Sequence, residues 1–156
     1  MLEAIRNWLV REGVPMREVH HAPAQTSAES AAARGEELRV GGKALLMRCD
    51  DAFALFVLPA DRKLDSGAVR RALKLDKLRF ASREELWEQT GLVAGSVPPF
   101  GKPILPFPLY VDQSIHENER IAFNAGSLTD SMILATADYF RVAQPQHVFA
   151  FSTGPS

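Results

Sequence analysis

The fold is decided by one stretch of the sequence, residues 44–59, which reads ALLMRCDDAFALFVLP. Two apolar runs, residues 44–49 and 53–58, flank the acidic pair Asp50-Asp51, which is typical of a turn. Each run has the length of a strand, and its apolar side chains need to be buried. We therefore predict a buried β-hairpin that ends at Pro59, because proline cannot donate a hydrogen bond to a neighbouring strand.

Helix and strand signals lie on both sides of this hairpin. Thr26 with Glu29, and Ser82 with Glu85, have the spacing of capping boxes, and Asp65 can cap a further helix. The predicted helices are residues 2–10, 30–34, 65–73 and 82–90, and the further predicted strands are residues 109–112, 121–124, 131–136 and 147–151. This order of elements predicts an α+β fold with a mixed, mostly antiparallel sheet and helices around it.

Length and composition predict one soluble domain, residues 1–156. The chain is 46% hydrophobic, which is enough to fill one core without disulfides or metals. Its single cysteine, Cys49, cannot form an internal disulfide, and the first twelve residues lack the apolar stretch of a signal peptide. No segment approaches the roughly 20 apolar residues that span a bilayer. We expect a cytoplasmic protein without a membrane partner.

The net charge of −1 conceals a basic segment between Arg62 and Arg83. This segment has eight basic and two acidic residues, a net charge of +6. Such a surface can face the phosphates of a nucleic acid, although a solvated helix face would explain it equally well. The residues predicted to contact RNA are Arg62, Lys63, Arg70, Arg71 and Lys74.

The sequence contains none of the strong catalytic signatures. It has no HExxH, no paired CxxC, no Walker loop and no GxSxG elbow. Its four histidines lack the spacing of zinc ligands, so we predict no metal and no cofactor. An enzyme with this sequence would need chemistry that uses few protein groups.

Two features remain as candidates for a site. Lys43 follows Gly41-Gly42, which leave room for a ligand, and precedes the buried hairpin; the alternative is an ordinary lysine at a strand edge. The loop from Gly95 to Gly101 is too rich in glycine and proline for a helix. Its backbone amides can polarise an ester carbonyl as an oxyanion hole does, and the alternative is a rigid turn without a ligand.

Four sequence segments place the chain near a known family. They are GKALL at 42–46, LPADRKLD at 58–65, GLVAGSVPPFG at 91–101 and FNAGS at 123–127. In this order they resemble the YbaK/prolyl-tRNA synthetase-associated editing domains, from about His21 to Phe151. The resemblance implies a barrel-like mixed sheet wrapped by helices. It also implies a free-standing, metal-independent deacylase for mischarged aminoacyl-tRNA, with alanine or cysteine on tRNA(Pro) as the substrate and prolyl-tRNA synthetase as a candidate partner; no DNA partner is expected.

The resemblance also implies roles for particular residues. The family's invariant lysine falls on Lys43, which would anchor the 3′ end of the tRNA through phosphate or ribose contacts. The amides of Gly95, Ser96 and Val97 would hold the scissile carbonyl, and Pro98 would help to bind the substrate. A hydroxyl of the terminal ribose would orient or activate water, so that the protein mainly positions and polarises the ester.

The segment from residue 124 departs from the alanine-clearing branch of the family, which has a histidine-proline pair near this position. Asn124 can donate and accept hydrogen bonds but cannot titrate near neutral pH. It would bind the amino or carbonyl group of the substrate, or it would close a strand. Gly126, Ser127 and Asp130 are further candidates for substrate contacts, Asp130 by pairing with the α-ammonium, although local capping would explain Asp130 equally well.

Two other functions remain open at this point. The domain could bind tRNA or a synthetase without catalysis, or it could hydrolyse a small free aminoacyl ester. Lys43 together with residues 95–99 favours the editing enzyme, because a pure binder has no need of a loop that polarises a carbonyl. Added salt distinguishes tRNA from a small free ester as the substrate, since binding of tRNA weakens steeply with salt and hydrolysis of a small ester should not.

Overall fold

The structure, a computed structural model, describes residues 1–24 and 26–154. Its helices are α1 (Leu2–Arg11), α2 (Ser27–Arg34), α3 (Ser66–Leu73), α4 (Arg83–Thr90) and α5 (Thr136–Ala143). Its strands are β1 (Arg17–His20), β2 (Gly42–Cys49), β3 (Ala52–Pro59), β4 (Lys63–Leu64), β5 (Leu78–Phe80), β6 (Leu109–Asp112), β7 (Arg120–Asn124), β8 (Asp130–Ala135), β9 (His147–Phe149) and β10 (Ser152–Thr153). Within this described part of the chain, no helix combines the length and the hydropathy needed to cross a membrane.

The predicted hairpin is the centre of the fold. β2 and β3 pair antiparallel from Gly42 opposite Pro59 to Cys49 opposite Ala52. They lie within a five-stranded sheet of order β5-β2-β3-β6-β9, in which β3, β6 and β9 run parallel. An antiparallel sheet of β1, β8 and β7 and a short β4-β10 pair complete the strands. The predicted α+β fold with a mixed, mostly antiparallel sheet is confirmed.

The two larger sheets meet next to the start of β2. A parallel bridge joins Gly41 to Ala122 of β7, so the chain enters the five-stranded sheet directly beside the three-stranded one. Helix α2 packs nearby, and its first turn is fixed by Thr26, whose hydroxyl accepts a hydrogen bond from the amide of Glu29 at 3.1 Å. This cap was predicted, and it sets the position from which α2 reaches the site.

The C-terminal third differs in part from the prediction. The strand predicted over residues 131–136 ends at Ala135, and α5 begins at Thr136. Tyr139, Val142 and Ala143 are buried on one side of α5, a three-to-four-residue spacing that the sequence reading missed. The last predicted strand stops at Phe149, because the amide of Phe151 donates to the carboxylate of Asp112 at 2.7 Å and not to a neighbouring strand.

An aromatic cluster supports the glycine- and proline-rich loop from below. Phe100 is fully buried, with ring centroids 5.1 Å from Trp8, 5.2 Å from Phe123 and 5.5 Å from Tyr139. The hydroxyl of Tyr139 donates to the carbonyl of Pro99 at 2.7 Å. Since buried aromatic rings contribute much apolar contact area, this cluster fixes the end of the loop on the core.

Candidate active site

A cavity of about 160 Å³ opens where α2, the start of β2 and the loop at residues 95–97 come together. It contains both features singled out in the sequence, Lys43 and the loop. Among the described residues, the cavity lining includes two cationic side chains and no carboxylate. The polar side chains that line it are those of Thr26, Ser27, Ser30, Arg34, Lys43 and Asn124. This charge balance favours a ligand with negative or partially negative oxygens.

Lys43 is half-buried in the first part of β2, where it lies opposite Leu58 of β3; the other neighbour, β5, pairs with β2 only from Met47 to Cys49. Its Nζ donates to the backbone carbonyl of Arg62 at 2.6 Å. An ammonium group has three N–H donors, so two remain for a ligand in the cavity. Burial lowers the pKa of Lys43, and the charge of Asp61 partly opposes this shift. Lys43 therefore lies at a locally open strand edge, as the alternative describes, and its ammonium is also fixed by a hydrogen bond beside the cavity.

The two glycines before Lys43 have different roles. A Cβ atom on Gly42 would lie 2.6 Å from Cδ1 of Ile121, so the missing side chain makes room for the core. A Cβ atom on Gly41 would lie 3.1 Å from Cβ of Ala60 and 3.4 Å from Nη1 of Arg34. Both glycines line the cavity, so the expectation that they let a ligand approach closely stays a prediction, and at Gly42 the core requires glycine as well.

The loop presents two free backbone amides, where three were predicted. The amide of Ser96 donates to the carbonyl of Val93 at 3.1 Å, and its hydroxyl donates to the same oxygen at 2.7 Å. Ser96 is turned away from the cavity, and the prediction that its amide holds the carbonyl is corrected. Gly95 and Val97 line the cavity, and their amides donate to no other described residue. Pro98 is buried and lies outside the lining.

Asn124 ties the loop to α2 and to β8. Its Nδ2 donates to the carbonyl of Gly95 at 2.6 Å and to Oγ of Ser30 at 3.4 Å. Its Oδ1 accepts from Nη2 of Arg34 at 3.0 Å and from Oγ of Ser131 at 3.2 Å. A side-chain amide has two donors and two acceptor sites, so this one is fully used inside the protein. The contacts describe a residue that positions the loop.

The three further residues that were predicted to contact the substrate, Gly126, Ser127 and Asp130, lie outside the cavity lining. Gly126 has a positive φ of 78° and forms the turn. Oγ of Ser127 accepts from the amide of Thr129 at 3.0 Å. The carboxylate of Asp130 contacts Nδ1 of His20 at 2.7 Å, and this contact lowers the pKa of Asp130. The prediction that Asp130 pairs with the substrate ammonium is corrected, because the carboxylate is already engaged.

The basic segment divides into engaged and free cations. Nε of Arg62 donates to Oγ of Ser152 at 2.6 Å, and Arg79 pairs with Glu85 at 2.6 Å, so both are held within the protein. The other basic side chains of the segment that were predicted to bind RNA are exposed, and they form no ion pair among the described residues. They are those of Lys63, Arg70, Arg71 and Lys74.

Four residues of α2 and its cap line the cavity and were missed as site residues in the sequence. They are Thr26, Ser27, Ser30 and Arg34. Thr26, Ser30 and Arg34 are four residues apart and so share one helix face. The signal that could have found them is this spacing, together with a polar stripe in an otherwise alanine-rich helix.

The sequence is similar to those of known proteins. The family model of the aminoacyl-tRNA editing domain matches residues 21–142. The multifunctional Ser/Thr-tRNA deacylase ProXp-y of Escherichia coli (strain K12) is 36% identical over 146 residues, which cover 90% of this chain and 86% of that protein. The proline–tRNA ligase of Shouchella clausii (strain KSM-K16) is 35% identical over 102 residues, which cover 65% of this chain and 18% of the ligase.

A solved structure has the same fold. The crystal structure of a candidate trans-editing enzyme for prolyl-tRNA synthetase superposes with a TM-score of 0.84. The match covers 98% of this chain and 97% of that one, at 24% sequence identity. The likeness therefore extends over the elements that build the cavity, including α2, β2 and the loop.

Proposed function

Since this chain belongs to the aminoacyl-tRNA editing domain family and is an aminoacyl-tRNA deacylase, we propose that it removes serine or threonine from mischarged tRNA in the cavity between α2 and the loop. The single observation that carries this proposal is that one small cavity is lined by Lys43 and by Gly95 and Val97, whose backbone amides donate to no other described residue.

The proposed chemistry is hydrolysis of the ester that joins the amino acid to the terminal ribose. Water adds to the carbonyl carbon, the carbonyl oxygen becomes negative, and collapse expels the ribose oxygen, which takes a proton from the water. The amides of Gly95 and Val97 stabilise the negative oxygen, and Lys43 holds the phosphate or ribose of the tRNA end. A hydroxyl of the terminal ribose orients the water, so no histidine or cysteine is required.

Hydroxyl groups in the cavity support serine and threonine as the amino acids removed. Thr26, Ser27 and Ser30 line the side of the cavity formed by α2. A hydroxyl can both donate and accept a hydrogen bond, so these side chains can satisfy the hydroxyl of a bound serine or threonine. The name of the E. coli relative gives the same two amino acids. Alanine and cysteine, which the family resemblance implies, lack this hydroxyl.

A panel of mischarged tRNAs tests the substrate. We expect the purified protein to deacylate Ser-tRNA and Thr-tRNA at least about tenfold faster than Ala-tRNA(Pro) or Cys-tRNA(Pro), because a site that hydrogen-bonds a hydroxyl discriminates against substrates without one. The measurement is kcat/KM for each tRNA at the same salt concentration. Faster cleavage of the alanyl or cysteinyl ester would contradict the proposed specificity, and no cleavage of any ester would leave a binding module without catalysis.

The exposed cations of α3 are proposed to hold the body of the tRNA. Replacing Arg70 and Arg71 with Glu should raise KM about tenfold with little change in kcat, because phosphate contacts are formed equally in the ground state and the transition state. The dependence of log KM on log salt should become flatter by about 1 to 2. The matched control reverses two exposed charges outside the segment, Arg11→Glu and Lys102→Glu. Equal KM values in both double variants would show that the basic segment is solvated surface.

A further inference from the structure

Arg34 is a buried cation that forms no ion pair with a described carboxylate. Its side chain extends from the last turn of α2, and the residue is only 7% exposed. Nε donates to Oγ of Ser131 at 2.9 Å, and Nη2 donates to Oδ1 of Asn124 at 3.0 Å. Among the described residues, no carboxylate lies within ion-pair distance of this guanidinium. Burial lowers the pKa of Arg34 to about 10, against a weaker opposing effect of Glu36.

The third nitrogen of this guanidinium is free on the cavity side. Nη1 donates to no other residue in the described part of the chain, and it lies next to Gly41, where a Cβ atom would be 3.4 Å away. Arg34 and Gly41 both line the cavity. A buried charge that is fixed by neutral oxygens is costly unless a ligand supplies the opposite charge. The arrangement is therefore that of a binding group for an anionic oxygen.

We infer that Arg34 binds the carboxyl group of the amino acid that is being removed, through Nη1. In the transition state this nitrogen donates to the carbonyl oxygen as it becomes negative, alongside the amides of Gly95 and Val97. After the ribose oxygen has left, it holds the carboxylate of the released amino acid. This inference rests on the proposed hydrolysis in the cavity.

A phosphate of the tRNA is the other source of an anionic oxygen, and the position of Arg34 favours the carboxyl group. Arg34 is nearly fully buried, whereas Lys43 is only half-buried. A cavity of about 160 Å³ accommodates a small aminoacyl group, but a phosphodiester carries a nucleoside on each side and has to stay at the mouth. The deeper cation therefore meets the amino acid, and the shallower one meets the tRNA end.

The first test is single-turnover deacylation of Ser-tRNA by Arg34→Met and Arg34→Lys. The methionine variant should lose about 10²- to 10³-fold in the rate at saturating enzyme, with less than a threefold change in the concentration of half-saturation. The lysine variant should recover part of this loss, since it retains the charge but not the planar fork. The control is Arg17→Met, because Nη2 of Arg17 donates to the backbone carbonyl of Arg34 at 3.2 Å from outside the cavity.

Two outcomes of this test would overturn the inference. An unchanged rate in the methionine variant, with active parent enzyme, would remove Arg34 from catalysis and leave the proposed function intact. A higher half-saturation concentration with an unchanged maximal rate would assign Arg34 to a phosphate. A parent protein that cleaves none of the esters would instead refute the proposed function, so the two failures are distinguishable.

A double-mutant cycle separates contact with the substrate from support of Asn124. If Arg34 acts only through Asn124, Arg34→Met will have no further effect in an Asn124→Ala background. We expect a further loss of at least tenfold in that background.

Binding of free L-serine, measured by NMR titration, gives a readout that does not depend on activity. The parent and Arg17→Met should bind L-serine more tightly than L-serinamide, which lacks the carboxylate, and Arg34→Met should lose this preference. Equal loss of the preference in Arg17→Met would contradict the inference.

Discussion

Replacing the backbone N–H of Val97 with an ester oxygen, while the valine side chain is retained, should lower kcat for deacylation about 10²- to 10³-fold. The exchange removes one N–H donor and changes little else. Val97 lines the cavity, and its amide donates to no other described residue. The exchange therefore removes no hydrogen bond between Val97 and the described residues. The measurement is single-turnover deacylation at saturating enzyme.

The neighbouring amide provides a matched control. The same exchange at Ser96 removes an N–H group that donates to the carbonyl of Val93, and Oγ of Ser96 still donates to that oxygen. We therefore expect kcat of the Ser96 ester to stay within about threefold of the parent, since this N–H is not aimed at the substrate. Equal losses at Ser96 and Val97 would mean that the exchange acts through the shape of the loop, and the oxyanion role of Val97 would be refuted.

Lys43→Met should lower kcat/KM about 10- to 150-fold, the range that corresponds to losing one hydrogen bond to a charged group, about 1.5–3 kcal/mol. Methionine retains a long apolar side chain, so the packing around the start of β2 is preserved. Only one hydrogen bond within the protein is lost, that to the carbonyl of Arg62. Removing the charge also relieves the burial that lowers the pKa of Lys43, which offsets this lost bond, so the free energy of unfolding should fall by no more than about 1 kcal/mol.

Lys102→Met is the control for general electrostatics, since Lys102 is exposed and lies outside both the basic segment and the cavity lining. Its kcat/KM should change by less than about threefold, the effect of a screened surface charge. If both lysine variants lose the same activity, Lys43 contributes only to the general field. A melting temperature that drops sharply for Lys43→Met would point instead to a structural role.

Much of the fold could be predicted because its signals are local. The hairpin at residues 42–59 is set by two apolar runs and an acidic turn, and the caps at Thr26, Asp65 and Ser82 are set by side chains that bond within one helical turn. The membership in the editing domain family, inferred from four segments, is confirmed. The start of α5 was missed because residues 131–136 read as one apolar strand, with no cap to mark the boundary.

The details of the site could be predicted only in part. Lys43, Gly95 and Val97 meet in the cavity, as the sequence suggested. The direction of a single N–H group, such as that of Ser96, depends on φ and ψ values that residue types do not fix. Asp130 was misassigned because its partner, His20, is 110 residues away in the sequence. Long-range contacts of this kind carry no local signal.

The burial of Arg34 also depends on long-range contacts that the local sequence does not indicate. In the sequence Arg34 is one polar residue at the end of a short helix, and arginines in that position are commonly solvated or interact with the helix dipole. Its burial follows from the bridge that brings β7 next to Gly41 and places Asn124 and Ser131 beside α2. No pattern within the helix indicates these partners.

A crystal structure with a non-hydrolysable substrate would test the central claim most directly. The compound is 3′-deoxy-3′-(L-serylamino)adenosine 5′-monophosphate, in which an amide replaces the ester. We predict that the seryl carbonyl oxygen lies about 2.7–3.1 Å from the amide nitrogen of Val97 and from Nη1 of Arg34, with Nζ of Lys43 bound to the ribose or the phosphate. A seryl group bound outside this cavity, or a carbonyl oxygen that points to solvent, would contradict the account.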